Sequence, residues 1–182
     1  MKTPWPLLLL LPFLAGCRAP VLPEVYLAPG LRFRLRPAAE GPPMFVTQEV
    51  VFRLPGGAEE TAIAVLENRA SAFSLVASSP LGQTLFVVRL EGARVRVEAR
   101  VPIPGDLDPR VLPALVQFAL WPAEAVRRGL GPDATLVEDG PRRSLLRKGK
   151  PIWTAIREGD RLRLENPGMQ LTVRIRTLEA EP

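Results

Sequence analysis

Residues 158–176 read EGDRLRLENPGMQLTVRIR. Leu162 and Leu164 alternate with Arg161, Arg163 and Glu165; after a short break, Leu171, Val173 and Ile175 alternate with Thr172, Arg174 and Arg176. Successive side chains of a strand point to opposite faces, so each run predicts a strand with one apolar and one solvated face. The same period marks Leu31, Phe33 and Leu35 among Arg32, Arg34 and Arg36, and Val95 and Val97 among Arg94, Arg96 and Glu98. More uniformly apolar runs at 50–54, 62–66, 73–77 and 85–90 read as strands covered on both faces. Pro55-Gly56-Gly57, Glu91-Gly92, Lys148-Gly149-Lys150 and Glu158-Gly159-Asp160 supply the turns. Short strands with such punctuation predict an antiparallel meander that curls into a barrel or sandwich.

One stretch breaks the period of two. Asp108-Pro109 offers an N-cap and a first-turn proline, and Val111, Leu112, Leu115 and Ala119 then fall on one helical face. Pro113 allows a start as late as Leu112. Trp121-Pro122 interrupts, and Ala123 to Arg128 predicts a second short helix stopped by Gly129. A helical pair between two blocks of strands can lie over the concave side of a curved sheet. The fold class expected is therefore mainly β with a helical insert, an incomplete antiparallel barrel with helices against its concave face.

The 182 residues include one cysteine and no histidine. Nucleophile systems that need a histidine base, and zinc sites with histidine ligands, are excluded. Nothing in the sequence implies a metal or a cofactor, and the chain reads as a non-enzyme. Glu59-Glu60 is no acid–base pair, because neighbours in a strand face opposite ways. Ser144 and Lys148 lack any cleft that would join them. The formal charge of +5 is spread along the chain. Its arginine ladders read as solvated strand faces that discourage edge pairing, not as a nucleic-acid surface, since aromatics are not interleaved with them.

At the amino end, Met1-Lys2-Thr3 precedes an apolar run from Leu7 to Leu14 that is too short to span a bilayer. It ends in Leu14-Ala15-Gly16-Cys17, which resembles the bacterial lipobox. Residues 1–16 are then a signal peptide and Cys17 the lipid-attachment residue; the alternative is an ordinary secretion signal with a chance cysteine. Two or three acyl chains hold a protein stably on a membrane where one does not. Arg18 in place of an aspartate favours, by resemblance to Gram-negative lipoproteins, the outer membrane. Pro20, Pro23 and Pro29 give residues 17–30 the look of a semi-extended tether, leaving 31–180 as a single half-barrel domain.

Three stretches carry a family resemblance: Ser79-Pro80-Leu81-Gly82-Gln83-Thr84-Leu85-Phe86, Leu115 to Trp121-Pro122-Ala123, and Ile175-Arg176-Thr177-Leu178. With the lipobox they resemble the bacterial lipoproteins called domain of unknown function 3261, whose shape is similar to the lipoprotein carrier and receptor LolA and LolB. That resemblance implies a half-open barrel lidded by helices and a role with an acyl or polyene-lipid ligand. The sequence shows no obvious exposed hydrophobic loop of the receptor type. Candidate cavity-lining residues are Leu112, Leu115, Phe118 and Trp121; for the two aromatics a plain core position under the helices is the other reading. Pro80-Leu81-Gly82-Gln83 is either a turn before a strand or a polar ligand contact through Gln83. Two function classes stay open: a carrier of an acyl or polyene lipid, and a structural lipoprotein docked onto an envelope synthesis or export complex. An open apolar interior favours the first and a filled core the second.

Overall fold

The computed structural model describes residues 22–101 and 108–181. Cys17 and the expected signal peptide, residues 1–16, lie outside them. Two strands come first, β1 (Glu24–Ala28) and β2 (Leu31–Arg34), followed by one 3-10 turn at Ala38–Glu40. A meander follows: β3 (Met44–Arg53), β4 (Glu59–Arg69), β5 (Ala72–Ser78), β6 (Thr84–Glu91) and β7 (Arg94–Ala99). Helices α1 (Val111–Leu120) and α2 (Ala123–Gly129) precede a second meander. It comprises β8 (Ala134–Asp139), β9 (Arg142–Arg147), β10 (Lys150–Glu158), β11 (Arg161–Asn166) and β12 (Leu171–Glu181).

Ten strands form one antiparallel sheet in the order β7-β6-β5-β4-β3-β12-β11-β10-β9-β8. The first meander runs outward from the middle to one edge, and the second returns from the other edge to the middle. There β12 closes on β3, with Val173 opposite Phe52 and Ile175 opposite Val50. The segment between β7 and β8, which contains both helices, therefore crosses from edge to edge as a strap. Among the described residues β7 and β8 do not pair, so the sheet is open, as an incomplete barrel requires.

Curvature follows from who touches α1. Val50 of β3, Ala64 of β4, Leu75 of β5, Phe86 of β6, Leu164 of β11 and Val173 of β12 border one space with α1. Six adjacent strands span about 24 Å across a flat sheet, whereas a helix with its side chains is ~10–12 Å wide. The sheet must curl around the helix, so α1 lies on its concave face. The alternation in the sequence sets which residues reach inward: Leu162, Leu164 and Val173 are buried, and their arginine neighbours Arg161, Arg163 and Arg174 are exposed.

The expected tether changes at residue 24. Val25 and Leu27 are buried to 6% and 2% exposure, and β1 pairs with β2 through a Pro29-Gly30 turn in which Gly30 has φ 71°. Trp153 Nε1 donates to the Leu27 carbonyl at 2.8 Å and Arg147 to that of Pro29 at 2.6 Å. So the hairpin covers the β8–β10 half of the concave face, while α1 covers the other half. Glu24-Val25-Tyr26-Leu27 has a strand's alternation, but four residues between prolines give a weak signal. Residues 24–30 of the expected tether therefore belong to the folded body.

The helix starts were close to expectation with one correction. Asp108 does not cap a helix beginning at Pro109; it forms a turn in which its carboxylate accepts from the Arg110 N–H and guanidinium. That guanidinium holds the Asp108 carboxyl below the usual range. α1 begins at Val111, so Pro113 sits in the first turn, where its missing N–H costs nothing. A second polar junction ties α2 to the turn after β2. Glu40 accepts from Arg36 at 2.6 Å and from Arg128 at 2.6 Å, and the Arg36 hydrogen bond, chiefly, lowers its pKa.

Candidate functional site

α1 reads VLPALVQFAL, with Gln117 its one polar residue. A helix apolar on nearly every side must be covered on nearly every side. Sheet and hairpin do this, except along one seam: a slot of about 70 Å³ remains between Leu112, Leu115, Val116, Ala119 and Leu120 of α1 and the inner faces of six strands. Only Gln48 among its lining residues is polar, and its amide donates to Thr177 Oγ1 at 3.4 Å. The walls are widened by small residues, Ala62 and Ala64 on β4 and Ala77 on β5, where larger aliphatics would meet the helix.

The four residues expected to line a cavity divide. Leu112 and Leu115 border the slot. Phe118 and Trp121, both fully buried, are not among its lining residues and pack elsewhere in the core. Trp121 lies against Gly41, where an added Cβ would collide with the indole. The helix turns Phe118 away from the slot while Leu115, Val116 and Ala119 face it. Sequence reasoning missed Val116 and Leu120, although Val116 stands at i+4 from Leu112 on the stripe it shares with Leu115 and Ala119, and Leu120 at i+4 from Val116 borders that stripe.

The carboxyl end of α1 is held by polar contacts. Gln117 accepts from the Arg36 N–H and donates to the Arg36 carbonyl, both at 2.9 Å. Arg143, on the inner face of β9, donates to the carbonyls of Phe118 at 2.9 Å and Trp121 at 2.7 Å, which a helix end leaves unpaired. No such anchor falls on Val111 to Val116 among the described residues. Apolar contact alone holds that half of the helix against the sheet.

Pro80-Leu81-Gly82-Gln83 is a turn. Ser79 N–H bonds the Gln83 carbonyl at 2.8 Å, Ser79 Oγ accepts from the Gln83 N–H at 3.2 Å, and Gly82 takes φ 82°. The Gln83 side chain is exposed and does not reach the slot. Leu81, at the tip, is 91% exposed, a single apolar side chain between Pro80 and Gly82.

Curled sheet, edge-to-edge strap and slot define a half-open antiparallel β-fold with a helical lid. The profile of a family described as protein of unknown function (DUF3261) matches residues 46–179, and the chain belongs to that family. No curated protein matches it. Among solved structures it is similar to a Vibrio parahaemolyticus domain described as an outer membrane lipoprotein-sorting protein domain. That likeness has a TM-score of 0.34 at 5% identity, covering 76% of this chain and 84% of the other.

Proposed function

We propose that the domain binds the hydrocarbon part of an amphiphile, an acyl or polyene lipid, between α1 and the sheet, and does so as a lipoprotein held on the outer membrane through acylated Cys17. The observation that carries this is the slot, whose lining has one polar side chain. Its size sets a condition. An apolar cavity of ~150 Å³ accepts one benzene, so a space of about 70 Å³ cannot take a long chain while α1 stays seated. The helix must lift, and its Val111–Val116 half, lacking polar anchors, is the part to do so. Each methylene entering gains ~0.8 kcal/mol, less the cost of the helix contacts it replaces.

The test fills the slot. Ala64→Leu adds three carbons at a wall residue facing α1. Wild-type protein, residues 17–182 with Cys17→Ser, is expected to bind a fluorescent long-chain fatty acid saturably in the micromolar range. Ala64→Leu should weaken binding at least tenfold with an unchanged or higher urea midpoint. Absence of saturable binding by folded wild type would overturn the lipid reading and favour a docking lipoprotein of an envelope synthesis or export complex.

A further inference from the structure

The slot has a polar end, and its chemistry selects the ligand's head. At the Leu120 end the apolar space continues into two surface grooves. One is bordered by Gln48, Leu120, Arg157, Asp160, Arg161 and Thr177. The other takes in Leu120, Glu138, Arg142, Arg143 and Arg157. Arg157 is common to both. It is the last inward residue of β10, after buried Trp153 and Ala155, and stands opposite Leu162, which itself lines the slot. The inner face thus changes from hydrocarbon to guanidinium within one strand repeat.

Two inward arginines, Arg143 and Arg157, stand at this rim with Glu138 and Asp160, whereas Arg142 and Arg161 pair with Ile156 and Arg176 on the outer face. Glu138 is taken by Arg143 at 2.6 Å and Arg127 at 3.8 Å, and Arg143 is further committed to the helix carbonyls. Arg157, which faces inward opposite Leu162, makes no side-chain hydrogen bond or ion pair among the described residues. A guanidinium offers a rigid fork of donors matched to carboxylate or phosphate oxygens.

We infer that the ligand is an anionic amphiphile, whose carboxylate or phosphate sits on Arg157, while its chain runs along α1 toward Leu112. This rests on the lipid reading above and adds the head to it. Gln48 and Thr177, at the same rim, offer neutral hydrogen bonds to whatever links head and chain.

The experiment compares three probes of one chain length, palmitate, hexadecyl phosphate and hexadecanol, by displacement of the fluorescent fatty acid from the Cys17→Ser protein. Both anions should bind at least tenfold more tightly than the alcohol, and Arg157→Gln should bring them within threefold of it without changing alcohol affinity. Arg157→Lys should restore part of the difference, and raised salt should narrow it. Acetate and inorganic phosphate, which carry a head and no chain, should not displace the fluorescent probe; displacement by them would mean a plain anion site and overturn the proposal. Equal binding of anions and alcohol, or an equal loss of both in Arg157→Gln, would overturn the head-group assignment and leave the slot standing. No saturable binding by any chain-bearing probe would overturn slot and head together. Circular dichroism of Arg157→Gln separates these outcomes from misfolding, which an exposed residue gives little reason to expect.

Discussion

Gln117 is enclosed at 1% exposure in a helix otherwise made of hydrocarbon. Its amide works as a short piece of strand, giving the Arg36 N–H and carbonyl the partners that a neighbouring backbone would have supplied. Removing the amide would leave both backbone groups without partners in a part-buried place, at about 1–3 kcal/mol for each unpaired group. Gln117→Ala should therefore lower unfolding free energy by roughly 2–4 kcal/mol, read from urea midpoints at unchanged slope. Surface control Gln83→Ala should move the midpoint very little, since that side chain is exposed. A Gln117→Ala protein as stable as wild type would mean that water replaces the amide, and that α1 is held by apolar contact along its whole length.

At the scale of elements, the β1–β2 hairpin decides where the fold begins. It places Val25, Leu27, Leu31 and Phe33 in the common core, and its Leu27 carbonyl receives the buried Trp153 Nε1 proton. A chain started at residue 31 loses two of those aliphatics, worth about 1.5–3 kcal/mol each, and leaves an indole N–H unpaired. Such a chain should unfold at a much lower urea concentration than one started at residue 22, or fail to fold; equal midpoints would return β1 to the status of a tether. The sheet itself was legible where strands show one solvated and one apolar face, as at Leu162 to Glu165 and Leu171 to Arg176. The apolar runs at 50–54, 62–66, 73–77 and 85–90, expected to be covered on both faces, alternate buried residues with half-buried or exposed ones instead. The hairpin was not legible, because four alternating residues flanked by Pro23 and Pro29 look like a linker. The helical insert could be read from Leu112, Leu115 and Ala119. Which of its large residues reach the slot could not, since that depends on the rotation of α1 against six strands. Arg157 escaped notice for a similar reason: only the pairing with Leu162 shows which face of β10 it occupies.

Across the molecule, among the described residues, the two halves of the sheet pair only where β3 runs beside β12. Each half alone exposes a long central strand as an edge, and an uncovered apolar edge invites wrong pairing. The first half also holds much of the bed on which α1, part of the second, must lie. Folding as one domain thus requires pairing residues as far apart as Val50 and Ile175, a slow, non-local step. A cut between Pro104 and Gly105, in a stretch outside the described residues, divides the chain into these halves without touching any described strand or helix. Neither fragment, residues 22–104 or 105–181, should show a cooperative urea transition alone. Co-expressed, they should purify as a one-to-one pair that recovers the transition and the fatty-acid binding of the intact chain. Val173→Asp, which puts a carboxylate at a buried place on the β12 side of the seam, should prevent the pair from forming. If one fragment folds cooperatively by itself, the strap and the β3–β12 ladder join two independent domains, and the slot between α1 and the sheet becomes an interface that can open as a whole.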